Sequence, residues 1–283
     1  MKISGTITKK IIRYLLSILI AYAAYATFFY LIQRTILFPT SYARTPMSVA
    51  DQIPDSLKTW IKTEYEISES WYFPPFSSIS RDRNPLVIIG HGNADVIDRW
   101  VGAVSILREY GMGVMLVEYP GYGRSTGDPS EESIQRVFVA SYDSIISRRD
   151  IDPNKIVLLG QSIGGGAVCN LAKQRPASAI ILVSSFTNVS VLASDFLIPG
   201  FLVKDTFNNL AVIKDFDGPT LFIHGIEDDL IPFSESQKLY SAASSGTLVS
   251  IEGGHNLNLH RSGFWEKHII PFLIEENLTA NDK

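Results

Sequence analysis

Two rhythms of apolar and polar positions divide this chain. From Tyr14 to Gln33, 20 consecutive residues carry no formal charge and are mostly Leu, Ile, Ala, Phe and Tyr, with Arg13 and Arg34 closing the run. At about 1.5 Å of rise per residue this run matches a hydrocarbon core of about 30 Å, so it predicts a helix able to span a bilayer. A cleaved signal peptide is the competing reading, but its apolar region is usually only about 7 to 15 residues long and ends at a small-x-small site. No convincing site of that kind follows Tyr30, and no polar stripe interrupts the run as it would in a buried soluble helix.

From about residue 65 short apolar runs alternate with longer mixed segments. Leu86 to Ile89, Val114 to Val117, Ile156 to Leu159, Ile180 to Val183, Leu221 to Ile223 and Thr247 to Ile251 are leucine-rich or β-branched and too short for helices, which predicts strands. Mixed segments at about 95–110, 131–148, 163–175, 234–244 and 262–275 are the candidate helices between them. The alternation predicts a mostly parallel sheet with helices on both faces. Turn signals at Asp152-Pro153-Asn154 and Asp217-Gly218-Pro219 precede two of the strands. The chain accordingly divides into an N-terminus and anchor over 1–33, a tether over 34–64 and the main α/β domain over 65–283. The tether carries Pro39, Pro46 and Pro54 with a short amphipathic stretch near Leu57 to Ile61. Within the domain, 185–217 breaks the rhythm, with Pro199-Gly200 between Phe196-Leu197-Ile198 and Phe201-Leu202-Val203, and reads as a small cap.

Composition narrows the classes. The chain is 46% apolar and 19% charged with a net charge of −4, which points away from disorder and from nucleic acid as a partner. Cys169 is the only cysteine, so no intrachain disulfide is possible. Lys2, Lys9, Lys10 and Arg13 precede the apolar run while Arg34 and Arg44 follow it. The positive-inside rule then places the N-terminus in the cytoplasm and the domain in the periplasm, a lumen or the exterior.

The chemistry centres on Gly160-Gln161-Ser162-Ile163-Gly164, a G-x-S-x-G directly after an apolar strand and before a helical segment. Such a sharp strand-to-helix turn holds the serine in strained geometry and needs neighbours without Cβ atoms. A serine hydroxyl also needs a base, and the base needs an orienting carboxylate, in this arrangement met in the order Ser, Asp or Glu, His. Glu227, Asp228 and Asp229 follow the strand at 221–223, and the spacing favours Asp228; His255 follows the strand at 247–251. Both loops lie at strand carboxyl ends, where open α/β sheets place their sites. His260 and His268 fall on or near the terminal helix, and His91 and His224 read as loop braces. In Gly90-His91-Gly92-Asn93, the backbone N–H of Asn93 could pair with that of Ile163 as a two-donor oxyanion hole. No metal, nucleotide or other cofactor site stands out, because Gly121-Tyr122-Gly123 lacks the P-loop lysine and a dinucleotide fingerprint.

The ordered motifs His91-Gly92-Asn93-Ala94, Glu118-Tyr119-Pro120-Gly121-Tyr122-Gly123-Arg124-Ser125, Gly127-Asp128-Pro129-Ser130, Gly160-Gln161-Ser162-Ile163-Gly164-Gly165 and Gly253-Gly254-His255-Asn256 carry a resemblance over roughly residues 30–275. The chain resembles the membrane-anchored α/β-hydrolase-domain serine hydrolases, relatives of the prolyl-oligopeptidase-like group. That resemblance implies Ser162 as nucleophile, Asp228 as orienting acid, His255 as base, and Asn93 and Ile163 as oxyanion donors. Members include depalmitoylating thioesterases, but those generally bear a cysteine-rich acylated N-terminus, and no cysteine precedes Cys169 here. The expectation is hydrolysis of an ester or thioester of an apolar, lipid-like acyl substrate, with Phe196, Leu197, Phe201 and Leu202 contacting the acyl part. Peptide or amide hydrolysis is the alternative, although the insert of about 30 residues is small for selecting peptides. A non-catalytic hydrolase-fold binding protein is the third reading, disfavoured because no triad residue is missing.

Overall fold

The structure is a computed structural model that describes residues 5–43, 49–76, 81–257, 259 and 263–280. Lys2, Arg44, Pro46 and His260 lie outside the described residues. In chain order the elements are the helices α1 (Gly5–Leu37), α2 (Thr40–Ala43) and α3 (Val49–Gln52), the strands β1 (Lys58–Lys62), β2 (Ile67–Phe73) and β3 (Asn84–Gly90), then α4 (Val101–Glu109), β4 (Gly113–Val117), α5 (Glu131–Ile146), β5 (Ile151–Gln161), α6 (Ile163–Ala172) and β6 (Ala179–Val183). The cap follows with α7 (Val189–Ser194) and α8 (Asn209–Asp215), and the chain closes through β7 (Pro219–Gly225), α9 (Ser234–Ala242), β8 (Ser245–Ile251) and α10 (Ile270–Glu275).

The strands form one eight-stranded sheet in the order β1-β2-β4-β3-β5-β6-β7-β8. β1 and β2 pair antiparallel with their neighbours, and every pairing from β4 to β8 is parallel. The fold is the α/β-hydrolase fold that the alternating pattern predicts. Strand alternation builds its two cores. Leu86, Ile88, Ile156, Leu158, Ile180, Leu182 and Phe222 face one layer with Val137 and Phe138 of α5 and Val168 of α6. Val87, Ile89, Val157, Leu159, Ile181, Val183, Leu221 and Ile223 face the other with Val104 and Leu107 of α4 and Leu273 of α10. Two-sided burial explains why these strands read as continuous apolar runs. The long α5 is started by a capping box, in which Ser130 Oγ accepts from the Ser133 N–H at 3.0 Å and Ser133 Oγ accepts from the Ser130 N–H at 2.8 Å.

The described parts of the 34–64 segment, 34–43 and 49–64, are packed on the domain rather than free. Phe38 and Ala43 are buried in one core, Ala50 and Ile53 in the other, and β1 forms the sheet edge against β2. Edge exposure hid β1: of its five residues only Ile61 is buried, and lysines stand at both ends. β2 was hidden for the opposite reason, since Ser68, Glu69 and Ser70 are buried polar residues in a strand without apolar alternation. Partners make that burial tolerable, because Glu69 accepts from the Trp71 indole at 2.9 Å and pairs with Arg124. At the other end the terminal helix begins as a π-helical turn at Trp265–Ile269 before α10. The 95–110 helix likewise begins as a 3-10 turn at Ile97–Trp100.

Glycine packing generates a paired test. A Cβ at Gly164 would lie 2.1 Å from the Gly90 carbonyl oxygen, whereas at Gly102 in α4 it would meet nothing within 4 Å. Gly164→Ala is expected to cost about 3 kcal/mol or more, and Gly102→Ala to stabilise by up to about 1 kcal/mol. Melting of the detergent-solubilised variants checks both; equal melting temperatures would contradict the packing argument.

Candidate active site

β5 ends in Gly160-Gln161, and the chain turns into α6 through Ser162, which takes φ 53° and ψ −119°. A Cβ at Gly160 would meet the Gly164 carbonyl oxygen at 2.4 Å, one at Gly165 would meet Ser185 Oγ at 2.1 Å, and one at Gly166 would enter the Phe207 ring at 2.5 Å. The glycines therefore allow α6 to pack directly against β3, β5 and the cap. The strained turn is clamped at both ends of its serine, since the Ser162 N–H donates to Val183 O at 2.8 Å and Ser185 Oγ donates to Ser162 O at 3.1 Å.

The structure brings Ser162, Asp228 and His255 together. Ser162 Oγ lies 3.0 Å from His255 Nε2, and His255 Nδ1 lies 2.8 Å from Asp228 Oδ2. With a carboxylate facing Nδ1, that nitrogen carries the proton and donates, which leaves Nε2 to accept from the serine hydroxyl. Of the three competing acids, Asp228 is buried while Glu227 and Asp229 are exposed. The loops carrying acid and histidine are stitched together by the Ile226 N–H to Ile251 O at 2.9 Å and the Glu227 N–H to Gly253 O at 3.0 Å. Gly225 permits this approach, because a Cβ there would lie 2.4 Å from Gly253 O.

Asp228 has more partners than its motif predicts. Oδ1 accepts from the Leu230 and Ile231 N–H groups at 3.0 and 2.8 Å, and Oδ2 also faces His224 Nε2 at 3.1 Å. His224 is fully buried, with Nε2–H donating to Ile231 O at 2.8 Å and Nδ1 accepting from Ser236 Oγ–H at 2.6 Å. Burial drives its pKa down, so the ring is neutral and braces the loop that holds the acid. The sequence offered one signal for this, a histidine four residues before the acid at the end of β7.

The other brace is charged. His91 is buried with Nε2 2.7 Å from Glu118 Oε1 and Nδ1 3.0 Å from Gly92 O. Both partners are acceptors only, so both ring nitrogens carry protons. Desolvation alone would lower the His91 pKa, but the Glu118 charge and hydrogen bond outweigh it and the net direction is up. Glu118 also accepts from the Tyr119 and Ile97 N–H groups at 3.1 and 3.2 Å, and Tyr119 Oη donates to His91 O at 2.5 Å. These bonds hold the 91–97 loop, where Ala94 takes φ 54° and Asn93 Oδ1 accepts from Ala94 N–H and Tyr122 Oη–H at 2.9 and 3.2 Å. Asn93 is exposed and Ile163 opens α6, whose first-turn N–H groups lack intrahelical acceptors.

The cap residues are placed differently from the triad. Phe196, Leu197 and Phe201 are exposed, and three carbonyls of this segment accept from α1: Tyr25 Oη donates to Phe196 O at 2.8 Å, Tyr22 Oη to Leu197 O at 2.9 Å, and Gln33 Nε2 to Leu202 O at 3.1 Å. Two surface hollows, of about 410 and 450 Å³, contain none of Ser162, Asp228 and His255. α1 is long and apolar enough to cross a membrane.

Sheet order and the serine turn together define an α/β-hydrolase, and the chain belongs to that family. A family model described as serine aminopeptidase, S33, matches residues 81–212. An uncharacterized Mycobacterium tuberculosis protein is 31% identical over 238 residues, covering 81% of this chain and 83% of its own. The uncharacterized protein YfhR of Escherichia coli K12 is 30% identical over 209 residues, 71% of each chain. Among solved structures, an alpha-beta hydrolase from Vibrio vulnificus superposes with a TM-score of 0.68 at 17% identity, covering 85% of this chain and 92% of its own. Est1E from Butyrivibrio proteoclasticus gives 0.63 at 17% identity, covering 78% and 98%.

His91 generates a pH prediction. Its folded pKa lies above the ordinary value of about 6.5, so its stabilisation is fully present below about pH 6.5 and is lost as pH rises through the raised value. His224 works the other way, being held low: its contribution is present above about pH 6.5 and lost as pH falls through the depressed value. The melting-temperature gap between the wild type and His91→Gln is therefore expected to narrow as pH is raised from 6 to 9. A gap that stays constant with pH would mean a neutral His91.

Proposed function

We infer that the protein is a membrane-anchored serine hydrolase that cleaves ester or thioester bonds of an apolar acyl substrate through an acyl-enzyme. The observation that carries this reading is the unbroken chain from Ser162 Oγ through His255 to Asp228, at 3.0 and 2.8 Å. Ser162 attacks the acyl carbonyl while His255 Nε2 takes its proton, and Asp228 holds the ring in the tautomer that can do so. The oxyanion that forms is met by the N–H groups of Asn93 and Ile163, each such donor contributing about 3 to 4 kcal/mol to catalysis. His255 then returns the proton to the leaving oxygen or sulfur, and a water activated by the same ring releases the acyl group. No step calls for a metal or an organic cofactor.

α1 is the anchor in this reading, with Lys9, Lys10 and Arg13 on the cytoplasmic side and the domain in the periplasm, a lumen or the exterior. Phe196, Leu197, Phe201 and Leu202 line the way in for the acyl part. Peptide hydrolysis is the second reading, favoured by the aminopeptidase description of the matching family model. The small cap between β6 and β7 favours acyl substrates over peptides.

Ser162→Ala is expected to abolish fluorophosphonate labelling and to lower kcat for acyl ester hydrolysis by about 10⁴-fold or more, with Asp228→Asn losing on the order of 10⁴-fold. Chromogenic acyl esters, acyl thioesters and peptidyl amides assayed side by side on the purified full chain check the substrate class; unchanged ester turnover in Ser162→Ala would sink the reading. For topology, a protease-cleavable tag after Lys283 is expected to resist cleavage from the cytoplasmic side.

A further inference from the structure

The contacts between the cap and α1 form a ladder. Leu197 O meets the Tyr22 phenol, Phe196 O meets the Tyr25 phenol, Gln33 bridges Leu202 O and the Lys204 N–H, and Arg34 pairs with Asp205 at 2.7 Å. From Tyr22 to Arg34 the helix rises about 18 Å at about 1.5 Å per residue, which is slightly more than one leaflet of a hydrocarbon core about 30 Å thick. Tyr22 stands near the middle of the uncharged run from Tyr14 to Gln33.

The segment beside this half of α1 suits hydrocarbon. Phe196 to Val203 contains no charged residue, and Phe196, Leu197 and Phe201 are 53, 75 and 86% exposed. Charges begin where the ladder reaches the end of the apolar run: Lys204 Nζ lies 4.0 Å from the centre of the Tyr30 ring, and Asp205 takes Arg34. An aromatic ring and ionic groups at that level match a membrane–water interface.

Backbone bonding is the independent observation. Irregular chain at membrane depth is tolerated only where its polar groups find partners in the protein. The N–H groups of Phe196, Leu197 and Ile198 donate to Ala193 O, Ser194 O and Ala193 O at 2.9 to 3.2 Å, and those of Leu202 and Val203 to Pro199 O and Gly200 O at 2.9 and 3.1 Å. The carbonyls of Phe196, Leu197 and Leu202 are the ones that accept from α1. Asp195, exposed next to Phe196, is the costliest neighbour in this arrangement.

We propose that the Phe196–Val203 segment is immersed in the leaflet on the domain side of the membrane crossed by α1, and that lipid acyl chains are the partner of its apolar surface. The proposal rests on reading α1 as a membrane span, and it makes the hydrolase a leaflet-facing enzyme whose acyl substrates reach it without leaving the lipid.

The buried Cys169 is the only cysteine, so single nitroxide labels can be placed cleanly. Full-length Leu197→Cys, Phe201→Cys, Leu19→Cys and Glu64→Cys would be labelled and reconstituted in vesicles of phosphatidylcholine and phosphatidylglycerol. Collision rates with oxygen, which concentrates in hydrocarbon, and with a water-soluble nickel chelate report the surroundings of each label. At positions 197 and 201, as at 19 in α1, oxygen is expected to exceed the chelate several-fold, and at 64 the ratio should invert. A chelate-dominated signal at 197 and 201 with position 19 still oxygen-dominated would overturn the immersion alone. Low collision with both reagents at 197 and 201 would also overturn it, since protein rather than lipid would then cover the segment. A chelate-dominated signal at position 19 would instead remove the span on which the proposal stands.

Discussion

Where β3 and β5 end, backbone rests directly on backbone. Gly90 and Gly160 both abut Gly164, and a Cβ at Gly160 or Gly164 would sit 2.4 Å or closer to a carbonyl of another element. This contact sets the distance between the serine turn and the 91–97 loop. The strained Ser162 backbone survives because its neighbours are held from three sides, by β6, by Ser185 and by the cap residue Phe207. Side chains in those gaps would force the layers apart, since close-packed interiors have no slack to absorb them.

Around that contact the loops are stiffened by buried polar groups that have found their partners. His91 and Glu118 form a charged pair under the 91–97 loop, while neutral His224 stands behind Asp228 with its tautomer fixed by the Ile231 carbonyl, which can only accept from Nε2–H. The two histidines do similar mechanical work in opposite protonation states. A carboxylate within 2.7 Å stabilises the charged ring of His91, whereas His224 shares its carboxylate with His255 and loses more to burial than it gains. Arg124 joins β2 to the loop before α4 by pairing with Glu69 and with Asp98 at 2.8 Å. Burying such groups is costly without partners, so these networks also exclude alternative loop arrangements.

Much of this was legible along the chain. The strands β3 to β7 announced themselves because both their faces are covered, β8 as a short run at the far edge of the sheet, and Gly160-x-Ser162-x-Gly164 with Asp228 and His255 marked the turn and the two later loops. β1 and β2 were not legible: one is an exposed edge, and the other buries serines and a glutamate whose partners lie far away in sequence. The docking of residues 34–43 and 49–64 was hidden too, since Phe38, Ala50 and Ile53 belong to short apolar groups without a period. Choosing among Glu227, Asp228 and Asp229 rested on spacing until the loop geometry buried Asp228 and left its neighbours exposed.

The sequence by itself determined the alternation of strands and helices, the uncharged run within the N-terminal helix and the residue types at the serine turn. Each of these depends on local period, propensity or the absence of a Cβ. Only the tertiary structure decided that Ser162, His255 and Asp228 meet, that His224 and His91 brace their loops in different charge states, and that the cap lies along α1. Those outcomes rest on contacts between residues tens to hundreds of positions apart, formed by packing and by satisfying buried polar groups, and no local pattern encodes either.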